Sequence, residues 1–144
     1  MQWIDCDLSP HGTKVVQSEP MAPKAALQEG LDIMGKWATL LRRHLDSCST
    51  QLGSIFRSQR FQGVYDEMVS SDWNADCKIR KEWSMEVSTG LKPLFVRYAQ
   101  MSGSAISVQH AAEVSDRMLK EAELGKAYLR LDWLIVTGKK PLAS

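Results

Sequence analysis

The chain has 144 residues, 44% hydrophobic and 24% charged, with 18 Lys+Arg against 17 Asp+Glu for a net charge of +1. One domain with a sizeable core follows from the length. The charge balance excludes bulk attraction to nucleic acid or acidic lipid, so any such binding needs local segregation of charge.

Residues 1–23 read as an extended or disordered arm, punctuated by Pro10, Gly12, Pro20 and Pro23, with Trp3-Ile4 and Val15-Val16 as its only apolar clusters. It carries Asp5, Asp7 and Glu19 and no apolar run, so it is not a secretory signal. Cys6, Cys48 and Cys77 are odd in number and widely spaced, which suggests a reduced, cytoplasmic chain without a disulfide framework. No run of 18 apolar residues is present, so no membrane span is expected.

Residues 24–144 read as one helical domain. Leu27, Leu31, Met34, Ala38, Leu41 and Leu45 recur at helical spacing after Pro23, a first-turn residue, in a helix that tolerates Gly30 and Gly35. That helix is expected to end in Ser47-Cys48-Ser49-Thr50. Leu52, Ile55, Phe56 and Phe61 mark a second helical segment, and Val64, Tyr65, Met68 and Val69 a short helical turn. A helix over about 73–87 carries Ile79, Trp83 and Val87, with Gly90 as its stop. Pro93 opens another, bearing Leu94, Phe95, Tyr98 and Met101. Ser107 starts a short helix and Ser115 a longer one. The final helix places Leu124, Tyr128, Leu131 and Ile135 on one line, with Leu129, Trp133 and Val136 beside it. So wide an apolar face suits a central position or a shared interface, and hence a homo-oligomer. β-Branched residues look scattered, and the expectation is an all-α bundle of five or six helices.

Within residues 91–137 the order of helix, break, short helix, turn and longer helix outlines a helix-turn-helix. With Ser115 as N-cap of the second helix, Val108 and Val114 plug the turn, and Leu119 and Ala122 anchor the second helix. Gln109 and Glu113 depart from the usual small residue and glycine. The outward set is Asp116, Arg117, Lys120, Glu121 and Glu123, more acidic than a DNA-reading face should be.

Arg97-Tyr98, Ile106-Ser107-Val108, Val114-Ser115-Asp116, Leu119 and the closing Ala127-Tyr128-Leu129 together resemble the end of the lambdoid phage Q-type late antitermination proteins. Met34-Gly35-Lys36-Trp37 matches a Trp-containing helix farther upstream in that family. The resemblance implies a small transcription regulator contacting promoter-proximal DNA and RNA polymerase, with Arg117 and Lys120 facing the DNA. Two further basic groups, Arg42 with Arg43 and Arg57 with Arg60, suit an acidic partner, and Phe56 and Phe61 interleave with the second. The alternative is an all-α interaction subunit that uses Trp- and Met-rich surface against a protein or a ribonucleoprotein assembly without reading DNA. Convergence of those arginines and Lys120 on one face favours the first; an exposed apolar patch favours the second.

His44 and Cys48 stand one helical turn apart, and Cys6 with His11 completes a metal-ligand set on paper, but no CxxC pattern supports it. There is no phosphate-binding glycine loop, GxSxG or HExxH. Asp72 and Asp76 sit where carboxylates complement a helix dipole. Neither an enzyme nor a bound cofactor is expected.

Overall fold

A computed structural model describes residues 2–7, 12–40, 47–73 and 76–140. The fold is mixed α and β, which corrects the all-α expectation. Among the described residues the order is β1 (Gln2–Asp7), β2 (Thr13–Gln17), α1 (Ala25–Leu40), α2 (Ser47–Ser58), β3 (Gln62–Ser70), a single 3₁₀ turn (Ser71–Trp73), α3 (Cys77–Ala99), α4 (Val108–Leu124) and β4 (Ala127–Lys139).

β4 organises the sheet, pairing antiparallel with all three other strands. β1 runs opposite Asp132–Thr137, β2 opposite Ala127–Leu131 and β3 opposite Asp132–Lys139. Because β1 and β3 oppose the same residues, they lie on the two edges of β4. The Asp132 N–H donates to the Gly12 carbonyl at 2.8 Å, while those of Leu129 and Leu131 donate to Ser84 Oγ and Ser71 Oγ, each at 2.9 Å. Strand N–H groups alternate between edges, so β2 continues along the β1 edge. Two serines occupy the other edge, where β3 has ended. The segment read as an arm thus supplies two strands.

The expected final helix is therefore a central strand. Gly125, left-handed at φ 67°, ends α4, and extended backbone begins at Ala127. Its apolar width has a sheet explanation. Ala127 and Leu129 face the larger core, with Leu27, Ile33, Phe95, Val114 and Met118 of α1, α3 and α4. Leu134 and Val136 face the opposite way, onto a smaller core with Phe56 and Leu52 of α2 and with Phe61 and Val64. The apolar face read as a helical surface for self-association therefore belongs to a strand.

The helix-turn-helix does not form. Ser107 Oγ accepts from the His110 N–H at 3.1 Å and caps one helix that continues through Ser115 to Leu124. Ser115 is buried inside it, donating to the Ala111 carbonyl at 2.8 Å. The helices expected over 73–87 and from Pro93 are likewise one, running through Gly90 and Pro93. Its buried stripe, Ser84, Ser88, Leu91, Phe95 and Tyr98, keeps a spacing of four and three across the proline. Asp76 caps its start, accepting from the Lys78 N–H at 2.8 Å. The turn expected at Val64–Val69 is strand, β3, which follows positive-φ Arg60 and has positive-φ Gly63 as its second residue.

Candidate interaction face

Alternate residues of a strand face opposite sides of its sheet. Where Leu134 and Val136 face α2, Trp133, Ile135 and Thr137 face away from it. The register sets Gln2 and Ile4 beside Thr137 and Ile135 on one edge, and Tyr65, Glu67 and Val69 beside Thr137, Ile135 and Trp133 on the other. Among the described residues α3 reaches the Trp133–Val69 end of these eight positions through Trp83 and Ile79, while α2, which packs on β1 and β3, lies on the opposite face. Ile4 is 55% exposed and Tyr65 59%, with Ile135, Trp133 and Val69 half-buried between and beside them. Glu67 is the single charged residue of the eight and has no ion-pair partner among the described residues.

At the Trp133 end the face meets α3. The Trp83 and Trp133 rings are 6.1 Å apart in an edge-to-face arrangement. There Val69, Ile79, Trp83, Leu129 and Trp133 line a cavity of about 190 Å³, with Arg80 and Tyr128 at its polar side. That volume is below the range of cofactor pockets, roughly 300–1,000 Å³. The Trp83 indole N–H is buried without a hydrogen-bond partner, a cost of about 1–3 kcal/mol.

A polar brace closes the sheet beside that cavity. Arg130 meets Asp132 through two hydrogen bonds of 3.0 and 2.9 Å, and Asp72 stands 3.6 Å from Arg130 Nε. Burial raises the Asp132 pKa, but hydrogen bonds from Arg130 and Ser70 outweigh it and hold the carboxyl below its ordinary value. Burial, reinforced by Asp72, pushes the Tyr128 phenol up, and the Arg80 guanidinium lies 5.0 Å from the ring centre. Each member has a neighbour of opposite charge or a ring to rest on, which is the economy of a structural lock.

The residues singled out from sequence are not gathered into one surface. Arg117 and Lys120 lie on α4, in the layer of the larger core, and Arg57 near the end of α2 with Arg60 in the turn after it, in the layer of the smaller one. Arg117 pairs with Glu29 at 2.6 Å, and Arg57 with Asp66 at 2.7 Å. Glu29 also lies 3.0 Å from His110 Nε2. Arg42, Arg43 and His44 fall outside the described residues, as does His11, and the same holds for the side chains of Cys6 and Cys48. Among the described residues no three metal-ligating side chains cluster, and no helix is long and apolar enough to cross a membrane. Phe56 is buried and packs its ring against Phe61 at 4.7 Å, so this pair serves the core and not base stacking. Glu121, placed on the outer face from sequence, reaches α1 instead: its Oε2 accepts from the Ala26 and Leu27 N–H groups at 2.9 and 3.0 Å.

Sequence reasoning missed Ile4, Tyr65 and Ile135 as a set. A signal existed only for the strand that carries Ile135, in the Tyr128-to-Thr137 run, where aromatic and β-branched residues cluster. No family model, curated protein or solved structure matches the chain.

Proposed function

We propose that this chain is a protein-interaction module, a small subunit or adaptor that holds a partner protein on the open face of its sheet. The observation that carries the reading is the apolar surface running from Ile4 through Ile135 to Tyr65, continued by Trp133 and Val69. Contiguous exposed apolar surface marks interaction sites, whereas single exposed residues such as Leu124 need no explanation. The exposed Cys77 thiol suits a reducing cytoplasm.

A nucleic-acid role has less in its favour. Phosphate neutralisation needs cations collected on one surface, and here the candidates sit in two layers, with Arg117 and Arg57 already engaged by carboxylates. The likeness to late antitermination proteins gains no support from the fold, since the two-helix unit it rests on is one helix followed by a strand.

The test is a photo-crosslinking residue placed at Tyr65 and, as control, at exposed Thr89 of α3. A discrete protein adduct from position 65, absent from position 89 and lost with Ile135→Lys, is expected. Equal adducts at both positions would overturn the reading. In parallel, binding to random duplex and single-stranded DNA should be negligible at low salt. Tight binding whose salt slope falls in Lys120→Ala would instead move the function to α4.

A further inference from the structure

We propose that the open sheet face accepts one amphipathic α-helix of three to four turns from another protein, carrying a basic residue where it passes Glu67. This rests on the interaction reading above and names its occupant.

Size argues for a single helix. Same-face residues lie roughly 7 Å apart along a strand and strands about 4.8 Å apart, so the eight register positions cover roughly 270 Å². A standard two-fold dimer takes about 800 Å² of accessible surface from each partner, so a second copy would need surface well beyond these positions. A helix about 11 Å wide and about 20 Å long lays down roughly 200 Å², which fits inside the patch. The same strands already show the arrangement from behind. There the 12-residue α2 covers Leu134 and Val136 with Phe56. A helix on the open side completes a helix–sheet–helix layering.

Chemistry sets the rest. Anchors at i, i+3 or i+4 and i+7 of such a helix rest on Ile4, Ile135 and Tyr65. The cavity of about 190 Å³ at the Trp133 end takes one large apolar side chain, since about 150 Å³ already holds benzene. Glu67 is the one acid among these positions, exposed Lys139 lies beyond Thr137 at the end of the same face, and Asp66, one residue away from Glu67, faces the other side and is held by Arg57. A basic residue on the incoming helix therefore has one acid to meet, and an acidic one meets repulsion.

The full chain, isotope-labelled, is titrated with two synthetic twelve-residue helices of identical leucine spacing, one with lysine and one with glutamate at its polar positions. The Leu/Lys helix should shift the Ile4 and Ile135 methyl and Tyr65 ring resonances and bind about tenfold tighter than the Leu/Glu helix. Glu67→Lys should reverse that preference. Ile135→Lys should abolish binding, and Ile4→Ser, on the exposed outer strand, should weaken it with the remaining spectrum unchanged. Shifts confined to other surfaces, or an unchanged preference in Glu67→Lys, would overturn the proposal. So would concentration-dependent dimerisation abolished by Ile135→Lys, which assigns the face to a second copy. If the peptides fail while crosslinks at position 65 still require Ile135, the helical occupant falls and the interaction reading stands; if both fail, both fall.

Discussion

Leu129, in the middle of the central strand, gives its backbone N–H to the hydroxyl of Ser84, 45 residues earlier in a helix, at 2.9 Å. Ser84 is fully buried and donates in turn to the Arg80 carbonyl at 2.9 Å. A helix thus finishes a sheet edge, because a strand N–H turned toward an apolar layer must find an acceptor. Only a small hydroxylated side chain lets α3 come this close.

Ser84→Ala should therefore cost more than an ordinary surface substitution. It leaves the Leu129 N–H buried without an acceptor, a penalty of about 1–3 kcal/mol. Denaturant unfolding should show a lower midpoint with an unchanged slope. A midpoint equal to that of the parent would show that the bond contributes nothing.

Gly30 and Gly35 look interchangeable in sequence, both inside α1, but their surroundings give opposite signs. A Cβ on Gly30 would collide with Met118 Sδ and Cε of α4, whereas one on Gly35 meets nothing within 4 Å. Gly35→Ala should stabilise by about 0.5–1 kcal/mol through helix propensity. Gly30→Ala gains the same propensity and should still destabilise, because overpacking costs about 1–3 kcal/mol. Thermal melts of the two variants should move in opposite directions; two upward shifts would mean that Met118 yields freely.

Glu121→Ala removes a helix cap supplied from a different helix. The carboxylate accepts two of the unpaired N–H groups at the start of α1, which has no acidic residue in its own first turn. Loss of such a cap costs about 1–2 kcal/mol. Hydrogen exchange should locate the effect: faster exchange at Ala26 and Leu27 than across α3. Uniform acceleration would instead point to a general loss of packing.

One helix start was legible from a local signal, while Ser115, read as a cap in the same way, lies inside α4. Ser107 reads as a cap from sequence and is one, because its side chain needs only the next turn to act. The sheet was not legible, for a physical reason. β4 buries Ala127 and Leu129 on one face and Leu134 and Val136 on the other, so its pattern changes phase near Asp132 and imitates a broad helical face. Gly90 and Pro93 read as a break, yet tertiary burial of Leu91 and Phe95 on either side of Pro93 holds one helix through both. The open face was hidden for a further reason: Ile4, Tyr65 and Ile135 are brought together only by strand pairing.

Pro93 accordingly holds stability in reserve. It sits on the exposed side of α3, four residues after Thr89, whose carbonyl has no Pro93 N–H to receive. A proline inside a helix costs about 3 kcal/mol. Pro93→Ala should raise the unfolding midpoint by some of that, and a lower one would show that the proline fits a bend the helix needs.

Acid should weaken the fold through Asp132. Burial works against its charge, but hydrogen bonds from Arg130 and Ser70 prevail, so its folded pKa lies below the ordinary carboxylate value. A depressed pKa means that the unfolded chain takes up the proton first. The resulting stabilisation is complete above about pH 4, the unfolded value, and is lost as pH falls through the lower folded pKa. Denaturant midpoints measured from about pH 5 downward should fall, and part of that fall should be missing in Asp132→Asn. The variant should also be weaker at neutral pH, because Arg130, with its side chain only 25% exposed, then lacks its closest carboxylate and keeps only Asp72 at 3.6 Å. An acid profile identical to the parent's would mean that the Arg130–Asp132 contact persists in the unfolded chain or adds nothing to the folded one.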